Sequence, residues 1–359
     1  MKRIHNFSAG PATLPLDVLK RVQSELADYR GTGQSIIEAS HRSPEYTEIN
    51  EQAASRLKSL LGAGDDWNVL FLQGGASTQF LMVAQNFLNE DRTADYINTG
   101  AWSKKAIKEA KLFGTVNIPY SGEEGGFTHI PDQNELSLTE NATYVHFTSN
   151  NTIFGTQFAT EPDTNGVPLV CDASSDFLSR PMDLEKYGLI YAGAQKNVGP
   201  AGVTIVLVRD SFMKSVLDRP TPTILQYKTH LEKLFNTPPV FAVYMVNYVL
   251  EWIEEKGGLD AFAEFNQKKA DLLYNEIDSD DFYRGTADTD SRSRMNVTFR
   301  LQTEDLEKQF LKEAAGFDLV ALKGHRSVGG IRASIYNACE MKSVETLVKF
   351  MADFRTQNS

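Results

Sequence analysis

Apolar positions between Pro44 and Leu61 recur at helical spacing: Tyr46, Ile49, Ala53, Leu57 and Leu60 share one face. A strand-like run, WNVLFL, follows, then QGGASTQF, then a second helical stretch through Leu88. DYINTG, TYVHFTSN and VPLVCDASS are short apolar runs, each ending in polar residues. Helical stretches separate several of them. This pattern predicts a mostly parallel sheet covered by helices, with a ligand held beyond the carboxyl ends of the strands. After about Asp281 the pattern changes. GTADTDSRSR predicts an exposed loop. MNVTFRL, the helical TEDLEKQFLKEAA, FDLVALKG, GGIRASIY and a last helix from about Ser343 to Phe354 predict a small α+β domain with an antiparallel sheet. Helices near 239–256 and 259–278 join the two parts.

Composition adds bounds. The 359 residues suffice for two domains, and 41% hydrophobic with 23% charged residues is ordinary for a globular core. A net charge of −11 argues against general affinity for nucleic acid or anionic membrane, but not against local basic clusters. The two cysteines, Cys171 and Cys339, lie in core-like segments, which fits a reducing cytoplasm better than a disulfide framework. MKRIHNFSAGPATLP has no apolar core of a signal peptide, and PVFAVYMVNYVLEWI is too short for a membrane span.

One charge stands out. Lys196 lies in LIYAGAQKNVGPAGVTIVLV, a run otherwise small, uncharged and apolar, at a Gly/Pro turn between two strands. It is either a solvated turn residue or a partly desolvated amine below the usual value of about 10.4, suited to Schiff-base chemistry. Asp172 ends the run VPLVCD. It is either a turn aspartate or a carboxylate facing a cationic ligand group at the sheet's edge, as the ring nitrogen of pyridoxal phosphate would require.

Other segments carry similar double readings. Gly74–Thr78, between a strand and a helix, forms a plausible phosphate cradle or a tight turn; it is neither a Walker motif nor GxGxxG. Trp102, after NTGA, packs in the core or offers a face to a flat ring. SHRSPEY (His41, Arg42) and KGHRSVGGIRASIY (His325, Arg326, Arg332) hold basic groups shaped for carboxylate and phosphate. Strand alternation puts Ile331, Ala333 and Ile335 on one face and Arg332 on the other. Basic pairs in an acidic chain point to a small anionic substrate.

Taken together, NFSAGPATLP, SHRSPEY, LQGGAS, NTGAW, SNNTIFGTQF, CDASSDFLSRP, YAGAQKNVGPAG, NTPPVFAVYM and GHRSVGGIRASIYNA resemble the phosphoserine aminotransferases, nearly end to end. These are class V enzymes of the pyridoxal-phosphate fold type I, aspartate aminotransferase-like superfamily. The resemblance implies an α/β fold: an N-terminal arm (1–15), a large domain (16–258) with a mostly parallel, seven-stranded-type sheet, and a small α+β domain (259–359). It implies pyridoxal 5′-phosphate held covalently by Lys196 as an aldimine, with no metal. Lys196, Asp172 and Trp102 match the proton shuttle, the ring-nitrogen partner and the stacking aromatic. Ala76, Ser77, Thr152 and Gln195 match positions on the cofactor's phosphate or ring hydroxyl. Asn236 and Thr237 match a pair reaching the phosphate from the other subunit of a homodimer. Arg332 is similar to the α-carboxylate clamp, and His41, Arg42, His325 and Arg326 to the groups reading the substrate phosphate or the side-chain carboxylate of glutamate.

The implied reaction is ping-pong transfer from L-glutamate to 3-phosphohydroxypyruvate, in cytoplasmic serine biosynthesis. The phosphohydroxythreonine step of pyridoxine biosynthesis is left open as a second activity. A serine– or alanine–glyoxylate transaminase needs no second anion pocket. A cysteine desulfurase fits poorly, since Cys339 follows a strand directly. A non-catalytic binding protein of the same fold would not need Lys196, Asp172 and Trp102 together.

Overall fold

The computed structural model describes residues 3–358, so Met1 and Lys2 of the expected arm and Ser359 of the expected small domain lie outside it. The helix at Pro44–Leu61 shows how closely local chemistry sets an element. Ser43 caps it by accepting from Tyr46 N, Pro44 starts it, and Gly62 ends it in the left-handed conformation. Its buried stripe is Tyr46, Ile49, Ala53, Leu57 and Leu61.

Seven strands form the central sheet. Their spatial order is Trp67–Leu72, Thr204–Arg209, Tyr187–Gly193, Leu169–Asp172, Val145–Thr148, Thr93–Tyr96 and Thr115–Asn117. Only Thr204–Arg209 runs antiparallel to its neighbours. It follows Tyr187–Gly193 through the short turn Ala194–Val203, which leaves no room for the crossover that parallel pairing needs. The four strands Thr204–Arg209, Tyr187–Gly193, Leu169–Asp172 and Val145–Thr148 are buried on both faces, which is why they read as apolar runs rather than alternating ones. Cys171, Ile190, Ile205 and Leu207 face a core shared with helices Pro44–Leu61 and Val240–Glu255. Val170, Leu189, Tyr191 and Val206 face one shared with helices Gly75–Phe87 and Ala101–Ala110. A one-residue slip of any strand would exchange the two sets, so the register is firmly held.

A third core holds the small antiparallel sheet of Tyr283–Gly285, Asn296–Leu301 and Ile331–Ser334. Val297, Phe299, Ile331 and Ala333 point into it. The opposite face turns toward the large sheet, where Thr298 Oγ1 donates to Phe154 O at 3.0 Å. Helix Gly258–Ile277 bridges the parts: Leu259 and Phe262 join the large core, Leu273 and Ile277 the small one. The N-terminal segment also bridges. His5–Asn6 pairs in parallel with Leu319–Val320, and Ala12 N then donates to Gln195 O at 2.8 Å.

The segment GTADTDSRSR is not the exposed loop its composition predicts. Ser291 and Ser293 are buried, because each meets a large-domain group. Ser291 Oγ accepts from Ile130 N, and Ser293 Oγ donates to Asn150 Oδ1. Hydroxyls satisfied in this way cost little to bury.

Candidate active site

The strands ending at Leu72, Tyr96, Thr148, Asp172 and Gly193 deliver their loops to one edge of the sheet. Lys196 stands in the loop after Gly193, half-buried, and its Nζ donates to Thr152 Oγ1 at 2.8 Å. Burial lowers its pKa to about 8; the field of Arg332 acts in the same direction, and those of Asp172 and Asp176 oppose it. The same amine lies 5.5 Å from the ring centroid of Trp102.

Asp172 is buried at the end of its strand, and its Oδ1 accepts from Ser174 N at 3.0 Å. Burial pushes its carboxyl up, against the pull of Ser174 and of the Lys196 charge. No cation among the described residues pairs with it directly. A protonated ring nitrogen placed against it would relieve that cost.

The cradle is built at the N-terminus of Gly75–Phe87. Gly74 is left-handed (φ +93°), and a Cβ there would lie 2.0 Å from Thr78 Oγ1, so only glycine fits. The first N–H groups of this helix have no acceptor within it, and no side chain caps them. They and the positive end of the helix dipole face the position an anion would take. Ala76 and Trp102 pack against the same core, on two helices that lie against each other.

Arg332 lies on the large-domain side of its strand, opposite Thr298, as the alternation predicts. Its Nη1 donates to Thr152 O at 3.3 Å, and burial lowers its pKa. Nearby, the half-buried ring of His325 is lowered by burial and by the charges of Arg332, Arg326 and Lys105. Such a concentration of positive charge in an acidic chain favours an anion.

The structure thus brings together Lys196, Thr152, Asp172, Trp102 and Arg332, with His325 beside them. Two predicted groups make no direct contact with these residues within one chain. Asn236 Nδ2 donates to Gln73 Oε1 at 2.6 Å, and Gln73 Nε2 donates to Thr237 O at 3.1 Å, which ties the pair to the residue just before the cradle glycine Gly74. His41 and Arg42 precede the helix Pro44–Leu61, with Arg42 exposed. No hydrogen bond, ion pair or ring contact among the described residues connects either group to Lys196, Asp172, Trp102 or Arg332.

Sequence reasoning missed Lys105, whose amine lies 4.3 Å from the Trp102 ring centroid. Its spacing from Trp102, i to i+3 on one helix face, was the available signal.

Comparison with known proteins agrees with this geometry. A family model for class V aminotransferases matches residues 4–347. The phosphoserine aminotransferase of Desulfosudis oleivorans is 56% identical, covering 99% of each chain. Among solved structures, the phosphoserine aminotransferase of Bacillus circulans subsp. alkalophilus superposes with a TM-score of 0.97 at 52% identity, covering 100% of both chains. The pyridoxal-phosphate-bound phosphoserine aminotransferase of Trichomonas vaginalis has a TM-score of 0.93 at 39% identity, over 98% of this chain and 100% of its own.

The residues present fit pyridoxal 5′-phosphate. Among the described residues Asp172 has no cation paired with it, the cradle helix has no side-chain cap, and Trp102 Nε1 is buried with no hydrogen-bond partner. Lys196 supplies an amine that is partly neutral near pH 8.

Proposed function

The chain belongs to the class V aminotransferases and, within them, to the phosphoserine aminotransferases, and we propose that Lys196, Asp172, Trp102, Thr152 and Arg332 carry its reaction. The amino group passes from L-glutamate to 3-phosphohydroxypyruvate in two half-reactions, giving 2-oxoglutarate and O-phospho-L-serine. The supporting observation is the lowered amine of Lys196, hydrogen-bonded to Thr152 and lying by Trp102 and within the field of Asp172.

Pyridoxal 5′-phosphate, when bound, supplies an aldehyde that condenses with amines and a ring that accepts an electron pair from the substrate α-carbon. The protein does the rest. Lys196 is the nucleophile that anchors the cofactor and, once released, the base and acid that moves the α-proton. Thr152 Oγ1 orients that amine. Asp172 keeps the ring nitrogen protonated by offering a buried negative charge. Ala76 and Ser77 present backbone N–H groups to the cofactor phosphate, Gln195 borders the same site, and Trp102 backs the ring. Arg332 takes the α-carboxylate common to both substrates, and His325 and Arg326 take the distal phosphate or carboxylate.

His41, Arg42, Asn236 and Thr237 complete the site of a second copy in a homodimer. Exposed Ile37 lies beside the first pair in sequence, and exposed Ile224, Leu234 and Phe235 precede the second. Apolar surface flanking both displaced groups supports an interface there. No helix among the described residues is long and apolar enough to cross a membrane, and two buried free thiols fit a cytoplasmic site of action.

An amine-acceptor screen with glutamate as donor tests the reading. A second anion pocket should favour 3-phosphohydroxypyruvate over pyruvate and glyoxylate by about two decades or more in kcat/KM, since charge-assisted bonds are worth roughly 1.5–3 kcal/mol each. Equal use of glyoxylate would make this a transaminase of another specificity.

A further inference from the structure

His325 and Arg326 ride on an exposed loop, and a distal anion can be read only if that loop stands at a fixed distance from Arg332. The loop closes on itself: Gly324 N donates to Gly330 O at 2.8 Å, and Val328 N and Gly329 N donate to His325 O at 3.0 and 2.9 Å. These bonds fix its shape, not its position. Its base is pinned to the strand of Arg332 by the bridge Lys323–Ile331 and by Arg332 N donating to Leu322 O, and its tip is held from below. Arg300 Nη1 donates to Val328 O at 2.9 Å, while its Nε donates to Glu307 Oε1 at 2.5 Å. Glu307 is buried at 7% exposure and anchored in helix Glu304–Gly316; its Oε1 also accepts from Leu301 N.

Contact with the loop is close. Gly330 is left-handed (φ +71°), and a Cβ there would lie 2.6 Å from Arg300 Cδ and 2.9 Å from Phe299 O. Arg300 and Arg332 line one cavity of about 350 Å³ together with Val328 and Gly329. Two of the three side-chain nitrogens of Arg300, Nε and Nη1, are already engaged by a carboxylate and a carbonyl. Only a planar guanidinium joins two acceptors in fixed directions; a lysine ammonium does not.

We propose that Arg300, oriented by Glu307, is a positioning residue for substrate specificity: by holding the Val328 carbonyl it sets the distance from Arg332 at which His325 and Arg326 meet the distal anion. This rests on the reading of His325 and Arg326 given above. A substrate with a distal anion gains from a fixed loop, and an amino acid without one does not.

The test uses holoenzyme and its Arg300→Lys, Glu307→Gln and Arg326→Gln variants. Single-turnover half-reactions are measured with L-glutamate and with L-alanine, which lacks a distal anion. Calorimetry measures binding of 3-phosphoglycerate, which has the carboxylate and phosphate but no reacting carbonyl. Arg300→Lys should weaken glutamate and 3-phosphoglycerate binding by about ten- to a hundredfold, with the alanine half-reaction within about twofold of the parent. Glu307→Gln should shift both in the same direction, and it serves in place of Arg300→Lys if that variant does not fold. The proposal is overturned if Arg300→Lys and Glu307→Gln keep the parent's preference for glutamate over alanine while Arg326→Gln loses it. It is also overturned if they depress both donors equally, as a general loss of structure would. If Arg326→Gln itself keeps the preference, the reading of the loop falls, and the proposal falls with it.

Discussion

The amine of Lys196 donates to the hydroxyl of Thr152 over 2.8 Å. The carbonyl of the same threonine accepts from Arg332. Thr152 therefore touches both Lys196, the nucleophile we propose, and Arg332, the group we propose for the α-carboxylate. Thr152→Val keeps the shape and the carbonyl but removes the acceptor for Lys196. We expect kcat to fall by about tenfold, the worth of one hydrogen bond, with little change in KM for glutamate. Steady-state kinetics beside a thermal melt checks this; an unchanged kcat would remove Thr152 from the site.

Lys196 should titrate near 8 rather than near 10.5. Below that value the amine is protonated and inert; above it the amine is neutral and nucleophilic. In apoprotein, labelling of Lys196 by trinitrobenzenesulfonate should therefore rise with pH through a midpoint near 8. The neighbours set the direction of further shifts. Asp172→Asn removes a charge that raises the amine, so the midpoint should fall. Arg332→Gln removes a charge that lowers it, so the midpoint should rise. Peptide mapping across a pH series reads all three.

Arg332→Lys should impair both half-reactions, because glutamate and the phosphorylated partner each carry an α-carboxylate. Loss of the bidentate fork predicts about one to two decades in kcat/KM for each. Slowing of only one half-reaction, measured separately with each substrate, would reassign the residue.

Asn236 and Thr237 have no bond to Lys196 within one chain among the described residues, and their proposed place in the partner's site leads to a mixing experiment. Chains with Lys196→Ala and chains altered at both Asn236 and Thr237 should each be inactive. Heterodimers place both defects in one site and none in the other, so mixing should restore up to about half of the activity per heterodimer by site counting. Heterodimers confirmed by mass spectrometry yet inactive would count against a shared site.

Much of this was legible in the chain. Lys196 was visible as a lone charge among small residues, Asp172 as the end of an apolar run, and Arg332 through strand alternation. The helix Pro44–Leu61 was visible in its spacing. What escaped depends on contacts distant in sequence. Thr152 was named from the resemblance alone; no spacing marks it among the polar residues of SNNTIF, and its bond to Lys196 appears only when the Lys196 loop lies against it. Ser291 and Ser293 read as solvent-exposed because their partners lie more than a hundred residues away. Lys269 sits in a helix like any surface lysine, yet it is fully buried and donates to the carbonyls of Ile335, Tyr336 and Cys339. Arg300 is one of several arginines on strands, and only the fold puts it under Val328.

The most direct test concerns which amine holds the cofactor. Two lysines approach the Trp102 ring: Lys196 at 5.5 Å and Lys105 at 4.3 Å. Of the two, only Lys196 donates a side-chain hydrogen bond among the described residues, and burial lowers the Lys196 amine to about 8. Protein loaded with pyridoxal 5′-phosphate is reduced with borohydride, digested and mapped by mass spectrometry. The pyridoxyl group should be found on Lys196 and not on Lys105, and Lys196→Ala should carry none while keeping the parent's fold. A pyridoxyl group on Lys105, or on any other lysine of the folded parent protein, would contradict the account.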